Sequence, residues 1–238
     1  MREKNIQAFE DDIEHNAGYK YTTNAALSTR WAQERLSRAV REVVDLKGRS
    51  VIDVGCGDGT YTVELLAAEP AYVLGTDASQ KVVDFAKGRI PAGATNIEFK
   101  AMEIYDLPAI GREFDVAIAR SVLHHLYDAE TGVKALMTLA KEVLVVEPNG
   151  YSPILKIFER TRKYHRQHEE KSYPPFRLDR WFERSGGVVV ERHFVGLVPH
   201  FFPNWAARVL KAIEPWIERI PLIRSLSCAV YVVRIESR

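Results

Sequence analysis

Along the chain, apolar and polar positions first follow a helical period and then alternate between short apolar runs and helical stretches. From Ala25 to Leu46 the apolar residues Leu27, Trp31, Leu36, Val40, Val43 and Val44 recur at helical spacing with charges between them, which predicts an amphipathic helix. Ser50–Val54 is a short apolar run that ends in Gly55-Cys56-Gly57-Asp58-Gly59, and Tyr61–Ala68 resumes the helical pattern. The alternation continues with a strand over Ala71–Thr76, a helix over Gln80–Arg89, strands over Asn96–Lys100 and Phe114–Ala119, a helix over Glu130–Ala140 and a strand over Glu142–Glu147. Such a sequence of elements predicts an α/β fold, a parallel sheet with helices on both faces.

Beyond Glu147 the pattern changes. Two strands, Val188–Phe194 and Ala229–Ile235, enclose a long helical stretch that begins near Pro203 and is interrupted by Pro215 and Pro221. They read as an antiparallel finish to the same sheet, with a helical cap inserted between the last two strands. No low-complexity linker or repeat marks a boundary, so residues 1–238 read as a single domain. Within it, 1–47 form a helical lid, 48–150 a cofactor-binding core, and 151–238 the acceptor-side helices and terminal strands.

Composition narrows the partners. A chain of 238 residues with 46% hydrophobic content can bury one substantial core. The formal charge of +1 provides no basic footprint, so no nucleic-acid partner is expected. Cys56 and Cys228 lack the paired spacing of a disulfide or zinc framework and read as thiols in a reducing compartment. The charged start lacks the apolar run of a secretory leader, and no apolar stretch reaches the roughly 20 residues that span a bilayer, so the expected location is cytoplasmic. His165 and His168 are three apart, but with no third ligand apparent no metal is expected. Arg160, Arg162, Lys163, Tyr164 and Arg166 read as a solvated helix face, with an anionic substrate as the alternative.

The glycine turn carries the chemistry. Glycines at the carboxyl end of a strand permit a tight turn and a close approach of backbone to ligand. A dinucleotide fingerprint sets its third glycine three residues after the second, whereas here the spacing is Gly55, Gly57, Gly59. Asp53 just before the turn would also repel a pyrophosphate, and it suits a ligand that carries an ammonium and a sulfonium. At the end of the next strand, Asp77 can accept hydrogen bonds from two vicinal ribose hydroxyls, with an N-cap role as the alternative.

In order along the chain, Asp53–Gly59, Gly75-Thr76-Asp77-Ala78-Ser79, Met102–Pro108, Phe114-Asp115-Val116 and Leu123-His124-His125-Leu126 resemble the class I S-adenosylmethionine-dependent methyltransferases, their small-molecule branch above all. The resemblance covers about Val51 to Glu147. It implies a Rossmann-like seven-stranded sheet with an antiparallel last strand, S-adenosyl-L-methionine as cofactor and S-adenosyl-L-homocysteine as product. By position it places Asp53, Gly55, Cys56 and Gly57 around the methionine part, and Asp77 with Ala78 at the ribose and adenine edge. Glu103 stands where the family commonly has an Asp that meets the adenine amine, and Ile104 lies beside the ring. Arg120, at the end of the fourth strand, and Tyr21, in an N-terminal segment that often folds over the cofactor, complete the cofactor set.

His124 corresponds to the base of plant small-molecule O-methyltransferases, although their following Asp is replaced here by His125. Two adjacent histidines do not readily point the same way, so His125 is expected to pack or cap. Glu147 and Asn149, at the end of the fifth strand, are polar groups within reach of an acceptor, or else turn residues beside Pro148. The Asn or Asp followed by two prolines and an aromatic, usual in nucleic-acid amino-methyltransferases, is missing. The resulting reading is methyl transfer to an O or N atom of a small-molecule, sugar or lipid-like acceptor. The alternatives are a non-catalytic cofactor-binding regulatory subunit and a Rossmann-type oxidoreductase. Residues 201–226, with Trp205 and Trp216 among Arg and Lys, read first as packing on their own domain, with a cap over an apolar pocket or contact with a membrane surface as the alternatives.

Overall fold

The central strands are apolar on both faces, and such strands are stable only between two helical layers. The computed structural model, which describes residues 3–161, 172–200 and 202–238, has this arrangement. Its elements are α1 (Glu3–Asn16), α2 (Lys20–Thr23), α3 (Leu27–Val43), β1 (Ser50–Val54), α4 (Thr60–Glu64), β2 (Tyr72–Asp77), α5 (Gln80–Lys87), β3 (Ile97–Ala101), β4 (Phe114–Arg120) and α6 (Ala129–Leu139). They continue with β5 (Ala140–Pro148), α7 (Pro153–Thr161), α8 (Pro175–Arg184), β6 (Gly187–Val195), α9 (Asn204–Ile217), α10 (Pro221–Ser227) and β7 (Val230–Ser237).

The seven strands form one sheet in the order β3-β2-β1-β4-β5-β7-β6. β1 to β5 pair in parallel, and β7 is antiparallel to both of its neighbours, β5 and β6. β6 therefore runs with the first five strands, and the last strand alone is reversed. The strand order turns back at β1, which lies between β2 and β4, and the crevice beyond the carboxyl ends of such strands is where open α/β sheets bind ligands.

Alternation along each strand distributes the two cores. Ile52, Val54, Ala117, Ala119, Val143 and Val145 face the layer containing α6 and α8, where Leu178 and Phe182 are fully buried. Each such side chain contributes about 1.5–3 kcal/mol by leaving water. Val51, Val116, Ile118, Leu144 and Val146 face the other layer, built from α3 and α5 through Leu36, Val40, Val43, Val83 and Ala86.

Three helices, α1, α7 and α8, carry no bounds in the sequence reading. α1 has only Ile6, Phe9 and Ile13 on its apolar stripe, and it packs on α5 with the help of Ser79 Oγ, which donates to Glu10 Oε1 at 2.6 Å. α7 and α8 form the crossover from β5 to β6. The run Arg162 to Arg166 and the pair His165 and His168 lie outside the described residues, as does Phe201. Among the described residues no group of His, Cys, Asp and Glu is disposed to hold a metal, and no helix is long and apolar enough to cross a membrane.

Candidate active site

Gly55, Gly57 and Gly59 all have positive φ, at 72°, 54° and 78°, and Gly55 and Gly57 are also hemmed in from outside the turn. A Cβ on Gly55 would stand 2.3 Å from Val122 Cγ2, and one on Gly57 would stand 2.5 Å from the ring of Tyr19. The turn is therefore pressed between the segment after β4 and the N-terminal segment, and only glycine satisfies both the backbone angle and the space.

Beside the turn lies a cleft of about 250 Å³, lined by Val54, Gly55, Asp77, Ala78, Met102, Glu103, Ile104, Val122 and Leu126. Five of the positions named from the sequence, Gly55, Asp77, Ala78, Glu103 and Ile104, thus converge. Asp77 is buried, and its oxygens accept the amides of Gly57 at 3.1 Å and Ser79 at 3.1 Å. Burial raises its pKa, those amides oppose the rise, and the nearby charge of Glu103 adds to it. A carboxylate has about four acceptor positions, so the backbone amides do not exhaust its capacity and a ribose hydroxyl can still be accepted. Helix capping at α5 falls to Ser79, whose side chain accepts from Val82 N at 3.2 Å.

Asp53 and Arg120 lie on the other face. Residue alternation puts Asp53 with Val51 and Arg120 with Ile118, toward α3 and α4, where both line a separate cleft of about 400 Å³. Asp53 Oδ2 accepts from Thr62 Oγ1 at 2.5 Å, and burial raises its pKa to about 6 against the opposing effects of that hydroxyl and of Arg120. Arg120 donates to Gln33 Oε1 at 2.5 Å and to Ser37 Oγ at 3.1 Å, with its guanidinium 3.7 Å above the ring of Tyr61. These side chains buttress the strand tips behind the turn, so the structure does not bring Arg120 to the cofactor cleft. The Cys56 thiol is buried beneath the turn, and burial together with the charge of Asp77 pushes its pKa well up, which keeps it protonated.

The N-terminal segment closes over the turn, but with a different tyrosine from the one expected. Tyr21 is turned to His200, with ring centroids 5.4 Å apart. Tyr19, two residues earlier, is the one that covers Gly57, and burial with the carboxylates of Asp77 and Asp58 raises its phenol pKa well above the usual value. The segment is fastened by Asp58, buried in the glycine turn, whose Oδ2 accepts from Thr22 Oγ1 at 2.6 Å and Tyr19 N at 3.3 Å and pairs with Arg89 at 3.2 Å.

On the acceptor side, β4 is followed by Ser121, a non-glycine residue at φ 58° whose amide donates to Val146 O at 2.8 Å. Left-handed backbone in such a residue costs about 1–3 kcal/mol and persists where surrounding bonds enforce it. The enforcing group is Glu147: its Oε1 accepts the amides of Val122 and Leu123, both at 2.8 Å, and its Oε2 lies 2.8 Å from His124 Nδ1. Both side chains of this His124–Glu147 pair are buried. The two adjacent histidines, contrary to expectation, lie side by side with centroids 3.9 Å apart, and the ring of His125 meets Phe9 of α1 edge-on at 5.2 Å. Asn149 takes a structural part, since its side chain donates to Ser225 O and Cys228 O and ties β5 to the end of α10.

The cleft suits a methyl donor of the nucleoside type. Asp77 and Glu103 offer acceptors for hydroxyls and an amine, Ile104 and Met102 offer apolar surface to a flat ring, and the glycine turn presents bare backbone. Thr76 Oγ1, next to Asp77, is buried with no hydrogen-bond partner among the described residues. A seven-stranded sheet with a reversed last strand, a glycine turn after β1 and an acid after β2 define the fold of the class I, S-adenosylmethionine-dependent methyltransferases. Residues 51–147 match the family model described as a methyltransferase domain.

Several known proteins resemble the chain. The chain is 30% identical over 128 residues to a tRNA U34 carboxymethyltransferase of Desulfotalea psychrophila, covering 52% of this chain and 40% of that one. It is 32% identical over 102 residues to the ubiquinone biosynthesis O-methyltransferase of Coxiella burnetii, covering 43% of each. It thus spans less than half the length of either relative. Magnesium protoporphyrin IX methyltransferase from Synechocystis, solved with bound S-adenosylhomocysteine, shares the fold with a TM-score of 0.66 over 98% of this chain and 99% of that one, at 15% identity.

Proposed function

We propose that this chain transfers a methyl group from S-adenosylmethionine to an O or N atom of a small-molecule, sugar or lipid-like acceptor, and that a hydroxyl oxygen is the group its site serves best. The observation that carries this reading is the buried pair His124 and Glu147, with Nδ1 and Oε2 2.8 Å apart, beside the cleft that holds Asp77 and Glu103. A carboxylate that accepts a hydrogen bond from Nδ1–H fixes the tautomer in which Nε2 carries the lone pair. Bound S-adenosylmethionine supplies the electrophilic methyl.

The protein's own contribution is orientation and proton removal. Asp77 and Glu103 hold the nucleoside, the glycine turn and Tyr19 enclose the methionine part, and Val122 and Leu126 keep water from the acceptor. His124 Nε2 takes the hydroxyl proton as the oxygen becomes a nucleophile, and Glu147 stabilises the resulting imidazolium. The tRNA-modifying relative raises a nucleic-acid acceptor as the rival, to which a chain of net charge +1 offers no overall electrostatic attraction.

The test is transfer of isotopically labelled methyl to a panel of phenols, quinols, sugars, lipids and tRNA, followed by single turnover with the acceptor found. His124→Ala should slow the chemical step by about 10²–10⁴ while S-adenosylhomocysteine still binds. A chemical step unchanged in His124→Ala and His124→Asn would end the base assignment. Labelling of tRNA in place of every small molecule would end the acceptor assignment.

A further inference from the structure

α9 and α10 sit at the end of the sheet where the cleft opens, because β6 finishes there at Val195 and β7 starts there at Val230, opposite Pro148. Their outward surface is unlike that of an ordinary cap. Trp205 is 74% exposed, Trp216 is 66% exposed and Leu222 is 72% exposed, with Val209, Ile213 and Ile220 exposed between them. At 100° per residue, positions 205, 209, 213 and 216 fall on one stripe of α9, and that stripe faces outward while Ala206, Ala207 and Glu214 face the protein.

Charge is sorted in the opposite sense. Residues 202–228 contain four basic groups, Arg208, Lys211, Arg219 and Arg224, and two acidic ones, Glu214 and Glu218. Both acids are turned inward: Glu214 accepts from Leu197 N at 3.0 Å and pairs with Lys211, and Glu218 accepts from Gly196 N at 2.9 Å and pairs with Arg35. Arg208 and Arg219 are exposed at the margin of the apolar stripe, and Arg219 lies 5.5 Å over the ring of Trp216. The outer surface is thus apolar with tryptophans and a positive rim.

We propose that this face docks on the surface of an anionic lipid bilayer. Trp205 and Trp216 enter the headgroup region, Arg208 and Arg219 meet lipid phosphates, and the helices lie in the interface plane. A second copy of the chain fits less well, since a two-fold contact through this face would set one positive rim against another. Docking brings the cleft's end of the sheet to the membrane. It is independent of what is methylated, and its test reads partition rather than catalysis.

The full chain should co-float with vesicles of phosphatidylglycerol and phosphatidylcholine, and poorly with phosphatidylcholine alone. Trp205→Ser with Trp216→Ser should abolish flotation while circular dichroism and S-adenosylhomocysteine binding stay unchanged. Arg208→Glu and Arg219→Glu should each weaken partition about fivefold or more, and added salt should weaken it in the wild type. Failure of the folded wild type to float with anionic vesicles would overturn the proposal, as would equal flotation of the double tryptophan variant or equal affinity for both vesicle types. A dimer dispersed by Trp205→Ser, without vesicle binding, would assign the face to self-association and overturn it as well.

Discussion

His124 and His125 are adjacent and side by side, yet they have different surroundings: a carboxylate faces one and a phenyl ring the other. His124 was singled out by position in the sequence, whereas its pairing with Glu147 was not, because Glu147 lies on the next strand and only the parallel pairing of β4 with β5 brings the two together. The same limit applies to Asp53 and Arg120. Both occupy strand ends where ligands bind, but the pleat sends their side chains behind the sheet. Asp53 carries a measurable cost there. Its pKa is about 6 in the folded protein against an ordinary carboxylate value near 3.8, so the folded state holds the proton more tightly than the unfolded one. Its ionisation therefore disfavours folding progressively as pH rises through that window and fully above it. Asp53→Asn should gain about 1–3 kcal/mol of stability at pH 7.5 and nothing near pH 3.5, as read by urea unfolding at each pH. An equal effect at both values would remove the burial argument.

The strands and most of the helices of the core were readable from periodicity, because each buries an apolar face whose spacing is fixed by geometry. The bounds of α1 were not readable, since polar ties to partners distant in sequence help to fix it. Glu10 receives Ser79, and Glu14 pairs with Lys81. The segment that follows depends on Asp58, which gathers Tyr19, Thr22 and Arg89 around one buried carboxylate. Asp58→Ala should free this segment from the glycine turn. Hydrogen exchange at residues 18–24 should then accelerate by at least tenfold while the strands stay protected, a loss of about 1.4 kcal/mol or more for local opening. Unchanged exchange would mean that Phe9 and Tyr19 hold the segment by packing alone.

At the scale of the whole molecule, ligands sort the alternatives. A ligand that binds only the folded chain adds about 2.7 kcal/mol of stability at a hundredfold excess over its Kd. S-adenosylhomocysteine should raise the melting temperature in this way and NADH should not. Asp77→Ala should lose roughly 1–3 kcal/mol of that affinity, as titration calorimetry would show. Stabilisation by NADH would return the chain to the oxidoreductases, and an unchanged affinity in folded Asp77→Ala would remove Asp77 from the cleft. The strand order was the part of the molecule no periodicity could supply, since it depends on which edges meet after collapse.

That order bears on how the chain is made. β7 fills the gap between β5 and β6, and it is synthesised after both, with α9 and α10 emerging in between. Until Val230 and the residues behind it leave the ribosome, β5 has one bare edge and β6 has no strand to pair with in this sheet. The nascent protein must therefore carry unpaired strand edges, together with two exposed tryptophans, until β7 emerges. A ribosome that stalls or terminates before Val230 would release a chain with most of its cofactor cleft encoded and an open sheet, a substrate for chaperones and for aggregation.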